Sequence, residues 1–87
     1  MIDFGIVGCG HIAKKHVQAL EEITDARLVA VCDNDLQRTV PFVEKHGARS
    51  YEIYKDFLED PEVEAVIICT PSGLHAAMGE KAAHAGK

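Results

Sequence analysis

The sequence has little that would take it to a membrane, a nucleic acid or an oxidising compartment. No apolar run is longer than that of Ala65 to Cys69, far short of the ~20 residues a helix needs to cross a bilayer. The amino end shows no charged segment leading into a signal-peptide core. A membrane partner is therefore not expected, and the expected location is cytoplasmic. Basic residues are few: nine Lys and Arg stand against fourteen Asp and Glu, for a formal net charge of −5. The densest cationic group, Lys14-Lys15-His16, falls on the outer face of a predicted helix, whereas phosphate backbones require a concentrated basic patch. Nucleic acid is not expected as a partner. Cysteine is scarce and odd in number: Cys9, Cys32 and Cys69 are too widely spaced for a disulfide framework or a zinc knuckle. They read as reduced thiols packed as small hydrophobes, and no metal site is expected. Internal repeats and low-complexity linkers are also missing.

What is there suits one small globular domain. The 87 residues are 47% hydrophobic and 26% charged, with ordinary Gly and Pro, and a chain of this size buries a modest core. Phe4 to Val7 is a short apolar run closed by Gly8, followed by Ile12, His16/Val17, Leu20 and Ile23 at helical spacing. That predicts strand, then helix, with Lys14, Lys15, Gln18, Glu21 and Glu22 on the wet face. Arg27 to Cys32 reads as a second strand, apolar without alternation and so covered on both faces. Leu36, Val40 and Val43 continue at helical spacing to Gly47, but Pro41 would cost ~3 kcal/mol in a helix interior. A break is expected, with the helix starting near Val40, Thr39 as its cap and Pro41 in its first turn. Ser50 and Tyr51 allow a brief third strand, Lys55 to Glu59 a single helical turn, and Glu64 to Cys69 a fourth strand. After Thr70-Pro71, the residues Leu74, Met78, Ala82 and Ala85 form a helical stripe that Gly86 closes. Alternation of strand and helix with short connections predicts an α/β fold: a parallel sheet with right-handed crossovers and helices on both faces.

Gly8-Cys9-Gly10-His11-Ile12-Ala13 is a G-x-G-x-x-A sequence between the first strand and first helix, where a dinucleotide fingerprint belongs. Gly8 permits the tight turn, Gly10 leaves room for a pyrophosphate, and small Ala13 lets helix and strand approach closely. The backbone N–H groups of His11 and Ile12 face the phosphates at the helix amino end. Asp33 ends the second strand 20 residues after Ala13, where a carboxylate accepts hydrogen bonds from adenosine ribose hydroxyls and repels a 2′-phosphate. This favours NAD; Arg38, within reach of a 2′-phosphate, keeps NADP as an alternative. As a plain turn aspartate, Asp33 would need no ligand at all. Thr70, Pro71, Ser72 and His75 follow the fourth strand and meet the glycine loop where the strand order reverses. His16, His46 and His84 carry no partnered motif and read as surface or boundary residues.

Taken together, F-G-I-V-G-C-G-H-I-A, L-V-A-V-C-D, D-P-E-V-E-A-V-I-I-C-T-P-S-G-L-H and the closing A-G-K resemble the Gfo/Idh/MocA family of NAD(P)-dependent oxidoreductases, which act mostly on sugars, cyclitols and nucleotide-sugars. The resemblance implies a partial Rossmann fold with four strands in the order 3-2-1-4. It also implies a cofactor site lined by Gly8, Gly10, His11, Ile12, Asp33, Thr70, Pro71 and His75. Ser72 replaces the family's usual Asn, a variant similar to a subgroup that includes nucleotide-sugar dehydrogenases. The family continues into a fifth strand, a Glu-Lys-Pro motif whose lysine assists catalysis, and an α/β substrate domain. Residues 1–87 are thus expected to be the N-terminal part of a dinucleotide-binding domain, with no catalytic residue and no turnover alone. Self-association is expected through the uncovered fourth-strand edge. The rival readings are a non-catalytic nucleotide-binding or assembly module, a methyltransferase, which usually has an acid where this chain has Ile6, and a purely structural domain.

Overall fold

The computed structural model describes residues 2–23, 25–70 and 72–87, without the side chains of residues 11, 23 and 72–77. Four strands, β1 (Ile2–Val7), β2 (Ala26–Cys32), β3 (Arg49–Tyr51) and β4 (Ala65–Ile68), form one sheet in the order β3-β2-β1-β4. Every pairing is parallel. Three helices, α1 (His11–Ile23), α2 (Val40–His46) and α3 (Tyr54–Leu58), lie in the connections, and α4 (Ser72–His84) follows β4. This is the expected α/β arrangement and strand order.

The two faces of the sheet carry separate cores. On one, Phe4, Ile6, Leu28 and Val31 pack against Ala13 and Val17 of α1 and Phe42 of α2. On the other, Val7, Val29, Ala30 and Cys32 pack against Phe57 and Leu58 of α3 and Ala82 of α4. Burial of β2 from Leu28 to Cys32 without interruption fits a strand covered on both sides. Within that run lies a bulge that the apolar pattern hides. Phe4 pairs with Leu28 but Gly5 with Ala30, so Val29 is an extra residue in β2, and Val29 and Ala30 both face the α3–α4 core. Gly5 sits opposite this irregularity for a steric reason: a Cβ there would lie 2.6 Å from the ring of Phe57. That ring also stacks on Tyr54 with centroids 5.9 Å apart.

Two local expectations need revision. The buried stripe of α1 runs through Ala13, Val17 and Leu20: Val17 and Leu20 belong to the predicted line, but Ala13 takes the place of Ile12 at its start, leaving Ile12 64% exposed and His16 at the surface. Pro41 does break the helical segment, and it stands in the first turn of α2. Thr39, however, does not cap that helix with its side chain. Residues Leu36–Thr39 form a 3-10 turn whose cap is Asp35, accepting from the Gln37 N–H at 3.1 Å, while the Thr39 hydroxyl donates back to the Leu36 carbonyl. The chain thus enters α2 already wound, and needs no Thr39 cap there. Gly47, at φ 67°, terminates α2 in the left-handed conformation.

Candidate functional site

The carboxyl ends of β1, β2 and β4 converge on a cleft of about 460 Å³. Its floor is the turn out of β1. The Gly8 N–H donates to the Cys32 carbonyl and the Cys69 N–H to the Val7 carbonyl, each at 2.8 Å, so the ladder holds all three strands together up to the loop. Gly8 has φ +90°, and a Cβ there would lie 2.8 Å from the backbone of Cys69. Both conformation and space therefore demand glycine at this point. Gly10 is the reverse case. A Cβ at Gly10 would meet no atom within 4 Å among the described residues, so none of them requires its bareness, yet its backbone lines the cleft. Ala13, three residues further on and fully buried in the first turn of α1, fills the helix–strand contact.

Asp33 joins this loop to the next. Its Oδ2 accepts the Cys9 N–H at 2.9 Å and its Oδ1 accepts the Asp35 N–H at 2.8 Å, with the residue 7% exposed. The ribose reading and the turn reading of Asp33 are therefore compatible: one lone pair on each oxygen fixes the backbone, and the carboxylate still lines the cleft. Arg38 reaches the same cleft, 63% exposed, with its Nε 3.8 Å from Asp35 Oδ2. Thr70 lines the opposite wall, its hydroxyl 3.3 Å from the Met78 sulfur.

Of the residues singled out in the sequence, Gly8, Gly10, Asp33, Arg38 and Thr70 come together around the cleft. Ile12 lies in the first turn of α1. Pro71 and the side chains of His11, Ser72 and His75 lie outside the described residues. Sequence reasoning missed Asn34, Glu52, Tyr54 and Met78, which also line the cleft. Glu52 was accessible to it, because a residue directly after β3 belongs to the same end of a parallel sheet as the glycine loop.

The thiols at the cleft are held in the protonated form. Burial, reinforced by the Asp33 carboxylate, pushes Cys9 up to about 12 and Cys32 to about 11, and burial also raises Cys69. All three stay protonated at neutral pH and act as packing groups rather than nucleophiles. His46 is a boundary residue, its Nδ1 3.2 Å from Glu21 Oε2 across α1 and α2.

A bare backbone at Gly10 over an open cleft, a helix amino end beside it and a carboxylate at the end of β2 form a cradle that fits a dinucleotide pyrophosphate and ribose. Comparison with known proteins agrees with this geometry. Residues 2–87 match the model of an oxidoreductase family, Gfo/Idh/MocA, described as an NAD-binding Rossmann fold. The chain belongs to the Gfo/Idh/MocA family. It is 38% identical to inositol 2-dehydrogenase of Rhizobium meliloti over 87 residues, which are 99% of the chain and 26% of that protein. Among solved structures it superposes with a TM-score of 0.89 and 42% identity on the WlbA dehydrogenase of Chromobacterium violaceum, crystallised with NADH and UDP-GlcNAcA, covering 98% of the chain and 25% of that one. It resembles KijD10, a 3-ketoreductase of Actinomadura kijaniata crystallised with NADP and TDP-benzene, equally closely in fold: TM-score 0.89, 33% identity, 99% of the chain and 27% of the other. The chain thus spans about a quarter of the length of these relatives and corresponds to their NAD-binding part. No helix among the described residues is long and apolar enough to cross a membrane.

Proposed function

We propose that this Gfo/Idh/MocA chain holds a nicotinamide dinucleotide, NAD in preference to NADP, and that the protein to which it belongs transfers hydride between that cofactor and a hydroxyl or ketone of a cyclitol, sugar or nucleotide-sugar in the cytoplasm. The observation that carries the proposal is the contrast between the two loop glycines. Gly8 is required by its own neighbours, while Gly10 is bare toward open space, as a loop needs to be where a pyrophosphate approaches the backbone. In this reading Gly8, Gly10 and the N–H groups of His11 and Ile12 receive the pyrophosphate, Asp33 accepts from the adenosine ribose, Thr70, Pro71 and His75 contribute further cofactor contacts, and Arg38 lies at the rim. The bound nicotinamide supplies the hydride chemistry. These residues orient its adenosine half, and the proton-handling lysine and the substrate domain that the family pattern implies lie outside residues 1–87.

Calorimetric titration with NAD, NADP and ADP tests the binding reading. Tight NAD and ADP with weaker NADP is expected; a folded protein that binds none of the three contradicts it. Equal affinity for AMP, ADP and NAD, with no oxidoreductase activity in the intact protein, would favour the non-catalytic module instead.

The outer edge of β4 also belongs to this proposal. All four of its residues are half-buried, and an uncovered edge of that character pairs with another strand: a fifth strand in the family arrangement, a second copy if residues 1–87 are produced by themselves. Sedimentation velocity of that polypeptide is expected to give a concentration-dependent dimer, and a monomer at every concentration would rule the pairing out.

A further inference from the structure

We infer that Glu52 is a specificity-determining residue of the cleft, a second carboxylate that works with Asp33 to exclude a 2′-phosphate. The inference rests on the dinucleotide reading and deepens it. Glu52 is the first residue after β3, and the carbonyl of Tyr51 immediately before it accepts the Asp33 N–H at 3.1 Å. The ends of β2 and β3 are thereby fastened to each other, and both acids line the same cleft. Glu52 has no ion-pair partner among the described residues.

Arg38 is the cation that would welcome a 2′-phosphate. Its guanidinium is 3.8 Å from Asp35 and largely exposed, so it is partly neutralised and loosely held. Among the described residues, the charged groups lining the cleft are then two carboxylates, Asp33 and Glu52, against one guanidinium that a third carboxylate shares. NAD presents neutral hydroxyl groups to this end of the cleft. NADP presents a phosphate of charge near −2, and a single carboxylate a few ångströms away, screened by water and salt, costs such a group roughly three- to tenfold in affinity.

The test is calorimetric titration of the intact protein and its Glu52→Gln and Glu52→Lys variants with NAD, NADP and ADP at low and high salt. The expected result is NADP affinity raised about three- to tenfold in Glu52→Gln and further in Glu52→Lys, with NAD and ADP unchanged within about twofold and the NADP gain shrinking at high salt. Unchanged NADP affinity in variants that still bind NAD would overturn the inference and leave the dinucleotide reading standing. Parallel loss of NAD and ADP would also overturn it, by making Glu52 a direct adenosine contact. Failure of the unsubstituted protein to bind any of the three nucleotides would overturn the dinucleotide reading itself.

Discussion

At the scale of single residues, charge in this protein is either fastened or left at a rim. Asp60 is the most fastened. Its side chain is 2% exposed and receives a bidentate pair from Arg49, at 2.8 and 3.1 Å, the Tyr51 hydroxyl at 2.7 Å and the Glu62 N–H at 2.9 Å. Burial alone would raise its pKa, but the bonds from Arg49, Tyr51 and the Glu62 backbone outweigh burial and lower it from 3.8 to about 2. A carboxyl whose folded pKa is depressed stabilises the fold above its unfolded value and loses that contribution as pH falls through the folded one. Asp60 therefore contributes on the order of 2 kcal/mol at neutral pH, lost between about pH 4 and pH 2. Urea denaturation across that range should show a steep acid limb in the unsubstituted protein. In Asp60→Asn we expect stability lower at pH 7 and a flatter limb, and an unchanged limb would mean that another carboxyl dominates acid unfolding. None of this network was visible in the sequence, because Arg49, Tyr51 and Asp60 are brought together only by the return of the chain from β3 through α3.

At the scale of elements, existence and order were legible and register was not. Strand and helix alternation, the position of the glycine loop and the break at Pro41 all follow from local chemistry: apolar periodicity, a missing N–H, a glycine closing the first apolar run. The bulge at Val29 does not, since a strand apolar on both faces looks the same with or without an extra residue. The same lack of contrast left His16 and Val17 as alternatives and misplaced the start of the α1 stripe, Ile12 in place of Ala13, because Ala13 was read for its smallness against the strand and not as the start of the buried line. Thr39 was assigned a capping role from its residue type, whereas the preceding 3-10 turn makes the cap unnecessary. In each case the deciding interaction comes from a neighbouring element.

At the scale of the whole molecule, the site is a product of the sheet. Parallel strands in the order β3-β2-β1-β4 deliver Asp33, Glu52, the glycine loop and Thr70 to one edge of the fold from positions as much as 62 residues apart. The sequence made the glycine loop, Asp33 and Thr70 legible because each stands in a motif. Glu52, Tyr54 and Met78 stand in none, and only the topology recruits them. At the opposite end the Lys87 ammonium donates to the carbonyls of Asp60 and Val63, at 2.9 and 2.6 Å, so the A-G-K segment ties the end of α4 to the loop before β4. That fastening leaves the cleft end of the molecule to carry recognition.

The central claim is that the bareness of Gly10 serves a ligand and not the fold, and the direct measurement is NAD titration of Gly10→Ala together with its thermal unfolding. A Cβ at Gly10 meets no atom of the described residues within 4 Å, so the melting temperature should stay within a few degrees of the unsubstituted protein, while NAD affinity should fall about tenfold or more as the methyl occupies the pyrophosphate approach. Unchanged NAD affinity in the folded variant would contradict the account.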